Sequence, residues 1–357
     1  MKYIKLLIIL LCILSLTGCY NYRELNDLGI ATAIGISMED NEYKLAIEVV
    51  ETEGSTEETP KYTLIESRSK TVEEALRHSI LKSSKRLYIN HLSLLIIDET
   101  LAESGIKDII DLFFRDSESR KQFYVLISKV SIKDLLSTET PLISINSKSI
   151  KERLETNDKY LNNVSTITFS KLLSDYVNPY KEIVIPSITL KDDEITLEDS
   201  AIFKEDKLVG YISNDDTLYY NFILNNVDDT VISIKDIKTS IEMNESKTHL
   251  DIHNNHININ IEMNGNITEI NDIDLTNPNG INYIENIYEN YLNSNISNMI
   301  HNTIYKYDSD IFGFKDLVYK KDYQNIDKFN LKDLNIKVNT KVNIKYKGNG
   351  ASIINER

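Results

Sequence analysis

Alternation between apolar and polar stretches divides the first half of the chain into strands and helices. Four apolar runs have the length and composition of buried strands: 28–36, 43–50, 92–97 and 122–130. Helices are predicted from residue 71, over 105–115, from residue 131 and, in two pieces, over 147–178. An extended segment at 183–190 surrounds Pro186. Strands that alternate with helices predict a mixed or parallel sheet covered by helices.

The helix that begins near residue 71 has a start signal of its own. Thr71 and Glu74 have the spacing of a capping box, with Thr71 as the N-cap and Glu74 reaching back to it. Four apolar residues then follow at helical spacing: Val72, Ala75, Leu76 and Ile80. This stripe predicts the buried face of the helix.

The second half has a different pattern. Apolar segments at 201–204 and 208–212 flank a polar turn and predict a hairpin, a short helix is expected over 215–224, and three or four alternating strands over 231–270. A long helix is predicted over 281–305, with seven residues on its buried side: Ile284, Tyr288, Tyr291, Leu292, Ile296, Met299 and Ile304. Strict alternation over 334–346 predicts a final strand with one buried face and one lysine-rich wet face.

These elements predict an α+β or mixed α/β protein of several domains. An N-terminal mixed sheet with helices would be followed by a C-terminal antiparallel sheet packed by the long helix. The acidic stretch near residue 192 is the predicted boundary, which gives a signal segment at 1–18, an N-terminal domain at 19–192 and a C-terminal domain at 193–357. A further division near residue 130 is left open.

The first nineteen residues have the form of an export signal. Lys2 and Lys5 precede an apolar run at 6–16, which is short for a membrane-spanning helix. The run ends in Leu16-Thr17-Gly18-Cys19, which resembles the bacterial lipobox. In such signals the peptide is cut between Gly18 and Cys19, the Cys19 thiol receives a diacylglycerol, and the new amino group is acylated, for example with palmitate. The alternative is an ordinary signal peptide with a chance cysteine at its end.

The amino-acid composition disfavours some classes of binding partner. The chain has 40 Lys and Arg residues against 55 Asp and Glu residues, a formal net charge of −15. That balance argues against nucleic acid as a partner and against binding anionic lipid through charge alone. The two cysteines are Cys12 and Cys19, so the body of the protein contains neither a disulfide nor a cysteine-based metal site.

One group of residues in the sequence has the side chains of a metal site, and the common catalytic motifs are missing. Neither common phosphate-binding glycine motif, nor a nucleophile elbow, nor a zinc-protease motif occurs in the sequence. His249, Asp251, His253 and His256 are residue types that ligate metals. On a strand, however, the first three would share the wet face, so we interpret the group as polar strand surface. We therefore predict no catalytic residues, no metal and no cofactor.

Several short blocks follow one another in order along nearly the whole mature chain. They are CYNYREL at 19–25; EAL, RL, NHL and IIDE within 71–101; FRD at 114–116 with Glu118 and Arg120; AIFK through KLVG at 201–210; and DIFGF at 310–314. Together these blocks resemble the Ger(x)C family, the lipoprotein C subunits of spore germinant receptors. That family usually starts with Cys-Trp-Asp, and here Tyr20 and Asn21 replace the last two residues.

The resemblance implies a non-enzymatic mixed α/β protein that acts in spore germination. It implies a complex with two integral-membrane partners, the A and B subunits. The protein would be lipid-anchored to the spore inner membrane, facing outward from the cytoplasm, and the complex would respond to nutrients. His91, at the start of a strand, would be either a partner contact or a side chain that closes the turn by hydrogen bonds.

Two other functions remain open on sequence alone. A substrate-binding lipoprotein of a transporter would show two similar α/β lobes around a cleft, whereas the halves here differ in pattern. A lipid-anchored hydrolase would need a nucleophile or a metal site, for which the histidine group is the one candidate.

Overall fold

The computed structural model describes residues 3–4, 28–50, 62–83, 85–116, 119–140, 143, 145–253, 255–270, 278–321, 326 and 329–346. The predicted lipobox, including Cys19, and the acidic stretch at 51–58 lie outside these described residues.

Nine strands form the first sheet, in the order β3-β2-β1-β5-β6-β7-β8-β9, with β4 also paired to β1. The central strands β1, β5, β6 and β7 run parallel, and the flanking pairs are antiparallel. The strands are β1 (Leu28–Glu39), β2 (Glu42–Val50), β3 (Tyr62–Ser69), β4 (Arg86–Tyr88), β5 (Leu94–Asp98), β6 (Tyr124–Ser128), β7 (Val184–Lys191), β8 (Glu194–Lys204) and β9 (Lys207–Ile212).

Helices cover both faces of this sheet. The first six are α1 (Val72–Ser83), α2 (Glu99–Ser104), α3 (Lys107–Arg115), α4 (Ile132–Ser137), α5 (Asn146–Tyr160) and α6 (Phe169–Tyr176). Buried residues of α1, α2, α3 and α6 share one core cluster, and those of α4 and α5 share another. Helix α4 approaches so closely that a Cβ on Gly35 would lie 2.1 Å from Cγ2 of Ile132.

The second sheet has the order β10-β11-β12-β13. Its elements are α7 (Asn214–Ile223), β10 (Thr230–Ile234), β11 (Thr239–His253), β12 (His256–Glu269), α8 (Pro278–Tyr307), α9 (Phe314–Lys321) and β13 (Asn335–Tyr346). The first two pairings are antiparallel, as expected, but β13 runs parallel to β12. The antiparallel expectation is wrong for this pair because α8 and α9 return the chain to the end of the sheet where β12 begins.

The long helix α8 builds the core of the second half. Six of its seven residues expected on the buried side are buried, and Tyr291 is half-buried against the same cluster. That cluster also includes Val184, Ile202 and Ile212 of the first sheet. This cluster therefore packs part of the first sheet against the second sheet.

Several local expectations are confirmed and others are wrong. Thr71 Oγ1 accepts a hydrogen bond from Glu74 N at 3.2 Å, as an N-cap should. The Glu74 carboxylate, however, accepts from Ser69 Oγ instead of reaching back, and Ile80 is 40% exposed instead of buried. The helix expected over 105–115 is α3 alone, since Gly105 adopts a φ of 129° and separates it from α2.

The predicted boundary between residues 192 and 193 falls in a tight turn. Asp192 and Asp193 both have positive φ and connect β7 to β8 in an antiparallel hairpin. Strands β8 and β9, from beyond this turn, complete the first sheet. The division of the chain into domains stays a prediction, and the first sheet contains strands from both sides of it.

Side chains of α8 cover the free edge of β13. Three of them, four residues apart along the helix, accept hydrogen bonds from alternate backbone N–H groups of the strand. The bonds join Thr340 N to Asn293 Oδ1 (2.7 Å), Val342 N to Glu289 Oε1 (3.1 Å) and Ile344 N to Glu285 Oε1 (2.8 Å). Four helical residues rise about 6 Å and two strand residues about 6.6 Å, so the two repeats match over this length. We call these three bonds the edge clasp.

We predict that Glu289→Ala destabilises the protein and promotes self-association, whereas Glu289→Gln does neither to the same extent. Glutamine keeps an oxygen acceptor for Val342 N. Alanine leaves that N–H unpaired beside a side chain that is 2% exposed, which costs about 1–3 kcal/mol, and it frees a strand edge for pairing. Urea unfolding and light scattering measure both effects. Equal stability of the two variants would contradict this role for the clasp.

Candidate functional site

The predicted lipid-attachment site adjoins the first sheet in sequence. Cys19 lies nine residues before Leu28, where β1 begins. A chain of that length spans at most about 32 Å. An anchor at Cys19 would therefore hold the start of β1 near the bilayer surface, and both the cleavage and the acylation stay predictions.

The described side chains of the histidine group form polar surface, and the side chain of His253 lies outside the described residues. His249, Asp251 and His256 are exposed, which confirms the wet face expected for the first two. The Asp251 carboxylate pairs with Lys321 Nζ at 3.0 Å. Across the part of the chain that the structure describes, no cluster of three or more His, Cys, Asp and Glu side chains has the arrangement of a metal site.

His91 is exposed, and its ring contacts that of Tyr88 with centroids 5.8 Å apart. The turn is closed by a backbone hydrogen bond, in which Leu92 N donates to the carbonyl of Ile89 at 3.1 Å, and Asn90 Nδ2 donates to Tyr88 Oη at 2.6 Å. The expectation that the His91 side chain closes the turn is therefore wrong, because the backbone closes it.

The family-like block at 201–210 contacts the end of α8, three residues before the block at 310–314. A Cβ on Gly210 would lie 2.1 Å from Cε1 of Tyr307, so only glycine leaves room for that ring. Tyr307 Oη in turn donates to the carbonyl of Tyr211 at 3.0 Å. The end of α8 is thereby fixed against β9.

The block that follows α8 is organised by Asp310. Its Oδ1 accepts from Phe314 N at 3.0 Å and its Oδ2 from Lys315 N at 2.7 Å, so the carboxylate caps the first turn of α9. Its backbone carbonyl accepts from Glu182 N at 3.1 Å, just before β7. Gly313 supplies the positive φ of 74° that this turn needs.

Residues next to Asp310 make further contacts with the first sheet and with α7. Ser309 Oγ donates to the carbonyl of Phe203 at 2.8 Å, and the ring of Phe312 stacks on that of Phe314 with centroids 5.1 Å apart. The Phe312 ring also meets Tyr220 of α7 at 6.2 Å. We call residues 307–314, with Glu182, Phe203 and Gly210, the joint, because they connect α8 and α9 to the first sheet.

Burial raises the pKa of Asp310 to about 6, and its backbone N–H donors oppose part of that rise. The residue is 8% exposed. The joint therefore contains a carboxyl group that titrates near neutrality and holds its proton more tightly in the folded state than in the unfolded one.

These features define a class of protein: two packed sheets of unlike topology, connected by a buried joint, without a recognisable catalytic centre among the described residues. Residues 21–190 match the sequence family described as spore germination protein N-terminal domain. Residues 198–348 match the one described as spore germination B3/GerAC like, C-terminal. The chain belongs to this GerAC family of spore germination proteins, which confirms the resemblance inferred from the sequence blocks.

Individual relatives are similar to this chain over most of its length. Spore germination protein KC of Bacillus subtilis is 26% identical, over 90% of this chain and 88% of the relative. Spore germination protein B3 of the same species is 22% identical, over 86% of each. The crystal structure of the GerBC protein shares the fold, with a TM-score of 0.58 and 16% identity, over 90% of this chain and 100% of that one.

Sequence reasoning found the blocks of the joint but not their role. Asp310 and Gly313 precede a helix with the spacing of a cap, which is a local signal. The contacts of the joint with Glu182 and Gly210 join residues about a hundred or more positions apart, and no local pattern indicates them. Among the described helices, none is both long enough and apolar enough to cross a bilayer.

We predict that Asp310→Asn removes a pH dependence of stability. Between about pH 4 and pH 6 the folded wild type retains a proton that the unfolded chain has released. Its free energy of unfolding therefore falls with rising pH, by up to about 1.4 kcal/mol per unit. The stabilisation from protonated Asp310 is complete below pH 4 and lost above pH 6.

Urea unfolding at a series of pH values measures this difference. The stability of Asp310→Asn should rise relative to wild type as the pH increases from 4 to 6. Parallel curves for the two proteins would show that Asp310 does not titrate in this range.

Proposed function

We propose that this protein is the lipid-anchored, non-catalytic C subunit of a nutrient germinant receptor and is needed for nutrient-triggered spore germination. The main support is that both halves match spore germination families in order, over residues 21–190 and 198–348. The relative KC, named a spore germination protein, aligns over nearly its whole length, so the match is not confined to a shared module.

The anchor follows from the lipobox. Cleavage between Gly18 and Cys19 leaves Cys19 as the first residue, with a diacylglycerol on its sulfur and an acyl chain such as palmitate on its nitrogen. Several acyl chains bind a bilayer firmly, at about 0.8 kcal/mol per buried CH₂. A chain with a formal charge of −15 needs such an anchor, because anionic lipid repels it. The protein would lie on the spore inner membrane, facing outward from the cytoplasm.

The partners would be the integral-membrane A and B subunits of the receptor, as the family resemblance implies. An anchor at Cys19 would keep the start of β1 within about 32 Å of the bilayer, close enough for the subunit to contact them. In such a complex the protein would bind and position its partners, and it would catalyse no reaction.

The fold does not favour a substrate-binding lipoprotein of a transporter. That class would have two similar lobes around a cleft, whereas this chain combines a nine-stranded sheet with a four-stranded one. A hydrolase is not supported either, because His249 and His256 are exposed and Asp251 is paired with Lys321.

Deletion of the protein tests the receptor role. Purified spores that lack it should lose dipicolinate release in response to mixed nutrients. A nutrient-independent germination trigger should still act on them, which controls for general defects in the spore. An unchanged nutrient response, in a strain whose related receptors are also deleted, would overturn the proposal.

We predict that Cys19→Ala abolishes palmitate labelling, releases the protein from the membrane and lowers nutrient-triggered germination. Cys12→Ala is the matched control, since Cys12 leaves with the signal segment and should change none of these. Metabolic labelling, membrane fractionation and dipicolinate release give the three readouts. A Cys19→Ala variant that stays fully membrane-bound and active would show that the anchor is not the lipid.

A further inference from the structure

The first sheet has an unpaired edge along the first half of β8. On one side, β8 pairs with β7 from Glu194 to Ile202. On its other side, it pairs with β9 only from Ser200 to Lys204. Residues 194–199 therefore have no second neighbouring strand among the residues that the structure describes. We call residues 194–199 the open edge.

The backbone of Leu197 points away from β7. The carbonyl of Ile188 in β7 accepts a hydrogen bond from Lys129 N, just after β6, at 3.0 Å. The Ile188 backbone is thus directed toward β6, and Ile188 lies opposite Leu197 in the β7–β8 ladder. Such a pair is a non-hydrogen-bonded one, so the N–H and C=O of Leu197 face the open side. Ile195, two residues earlier, has the same orientation.

A groove adjoins the open edge. Its volume is about 640 Å³, and it is lined by α5, by the loop that follows α5 and by the first residues of β8. Ile195 is 2% exposed and Leu197 is half-buried, and both pack with side chains of α4 and α5. The lining also includes Val164, which is buried, and Leu161, which is 51% exposed. Backbone hydrogen-bonding groups and apolar side chains thus lie next to each other here.

Two of the three carboxylates of the open edge are engaged within the protein. Free strand edges are usually covered, or they carry charges that prevent pairing with another chain. The Glu198 and Asp199 carboxylates instead pair with Lys129, at 3.5 and 2.8 Å. Glu198 also pairs with Lys191 at 2.5 Å. No side chains in the described part of the chain cover this edge in the way that the edge clasp covers β13, so it can accept one more strand.

The charges around the open edge favour a basic partner. Asp192, Asp193 and Glu194 are all exposed, and they follow one another at the hairpin turn where the edge begins. The groove itself is close to neutral, since its other charged lining residues are Glu152 and Arg153. A lysine or arginine of the partner would therefore be attracted to the hairpin end.

A second copy of this chain fits the open edge poorly. Two copies related by a two-fold axis would pair their edges antiparallel. That pairing places Glu194 of one copy opposite Asp199 of the other, at both ends of the paired segment. Like charges directly opposite each other destabilise a sheet. The charge pattern therefore favours a different polypeptide.

We propose that the open edge binds an extended segment of another protein by strand addition, with apolar side chains of the segment in the groove and a basic residue near Glu194. Strand addition takes its affinity from main-chain hydrogen bonds and its specificity from pockets for alternate side chains. Both features lie together at this edge. The inference concerns binding by this chain alone and does not depend on the receptor role proposed above.

The test uses the purified full-length lipoprotein in detergent and the fluorescently labelled peptide Lys-Val-Thr-Val-Thr-Val-Lys with blocked ends. A generic strand-forming sequence is sufficient, because backbone groups supply the affinity. Two further peptides carry N-methyl groups, on the valines or on the threonines, so each lacks the N–H groups of one side of the strand. Fluorescence anisotropy measures the three affinities.

We expect the parent peptide to bind and one N-methylated peptide to bind at least about tenfold more weakly than the other. Only the N–H groups that face β8 are needed, and two lost hydrogen bonds account for that factor. The proposal fails if the parent peptide does not bind with a Kd below about 1 mM. Equal affinities of the two N-methylated peptides would also overturn it.

Two further measurements locate the site. Hydrogen exchange at the amides of Ile195 and Leu197 should slow when the parent peptide is bound. Glu194→Lys should weaken binding about two- to fivefold, and it should improve binding of a peptide with glutamates in place of the lysines. Asp236→Lys, an exposed change outside the groove lining, is the matched control. Unchanged exchange at both amides, or wild-type affinity in Glu194→Lys, would overturn the assignment.

Discussion

The relative placement of the two sheets depends on one buried carboxylate. Asp310 starts α9 by accepting two backbone hydrogen bonds, while its own carbonyl accepts from Glu182 at the entrance to β7. The path from α9 to the last strand follows from that starting point, so β13 enters beside β12 in parallel. The free edge of β13 then lies against α8, where the edge clasp satisfies its N–H groups. The joint fixes the C-terminal end of α8, and the clasp holds residues 285–293 of the helix against β13.

The sequence predicted those elements whose burial is one-sided and strong. Strand β13 alternates strictly because one face packs on α8 and the other faces water. The pattern does not predict strand β3, because this strand lies at the edge of the sheet. Its buried residues are Ile65, Ser67 and Ser69, and only Ile65 is apolar. The direction of β13 could not be read either, since the same alternation suits parallel and antiparallel pairing. The course of the connecting helices decides it, and that course depends on contacts between residues far apart in the chain.

The functional residues also differ in how far the local sequence indicates them. A lipobox is a contiguous local signal, and the sequence alone predicts Cys19 as the anchor. The joint has no such signal for its long-range contacts, because Glu182 and Gly210 are about a hundred or more positions from the residues that they meet. The carboxylates of the edge clasp fall between these cases. Their spacing of four residues on α8 is visible in the sequence as a polar stripe, but which strand it meets is not.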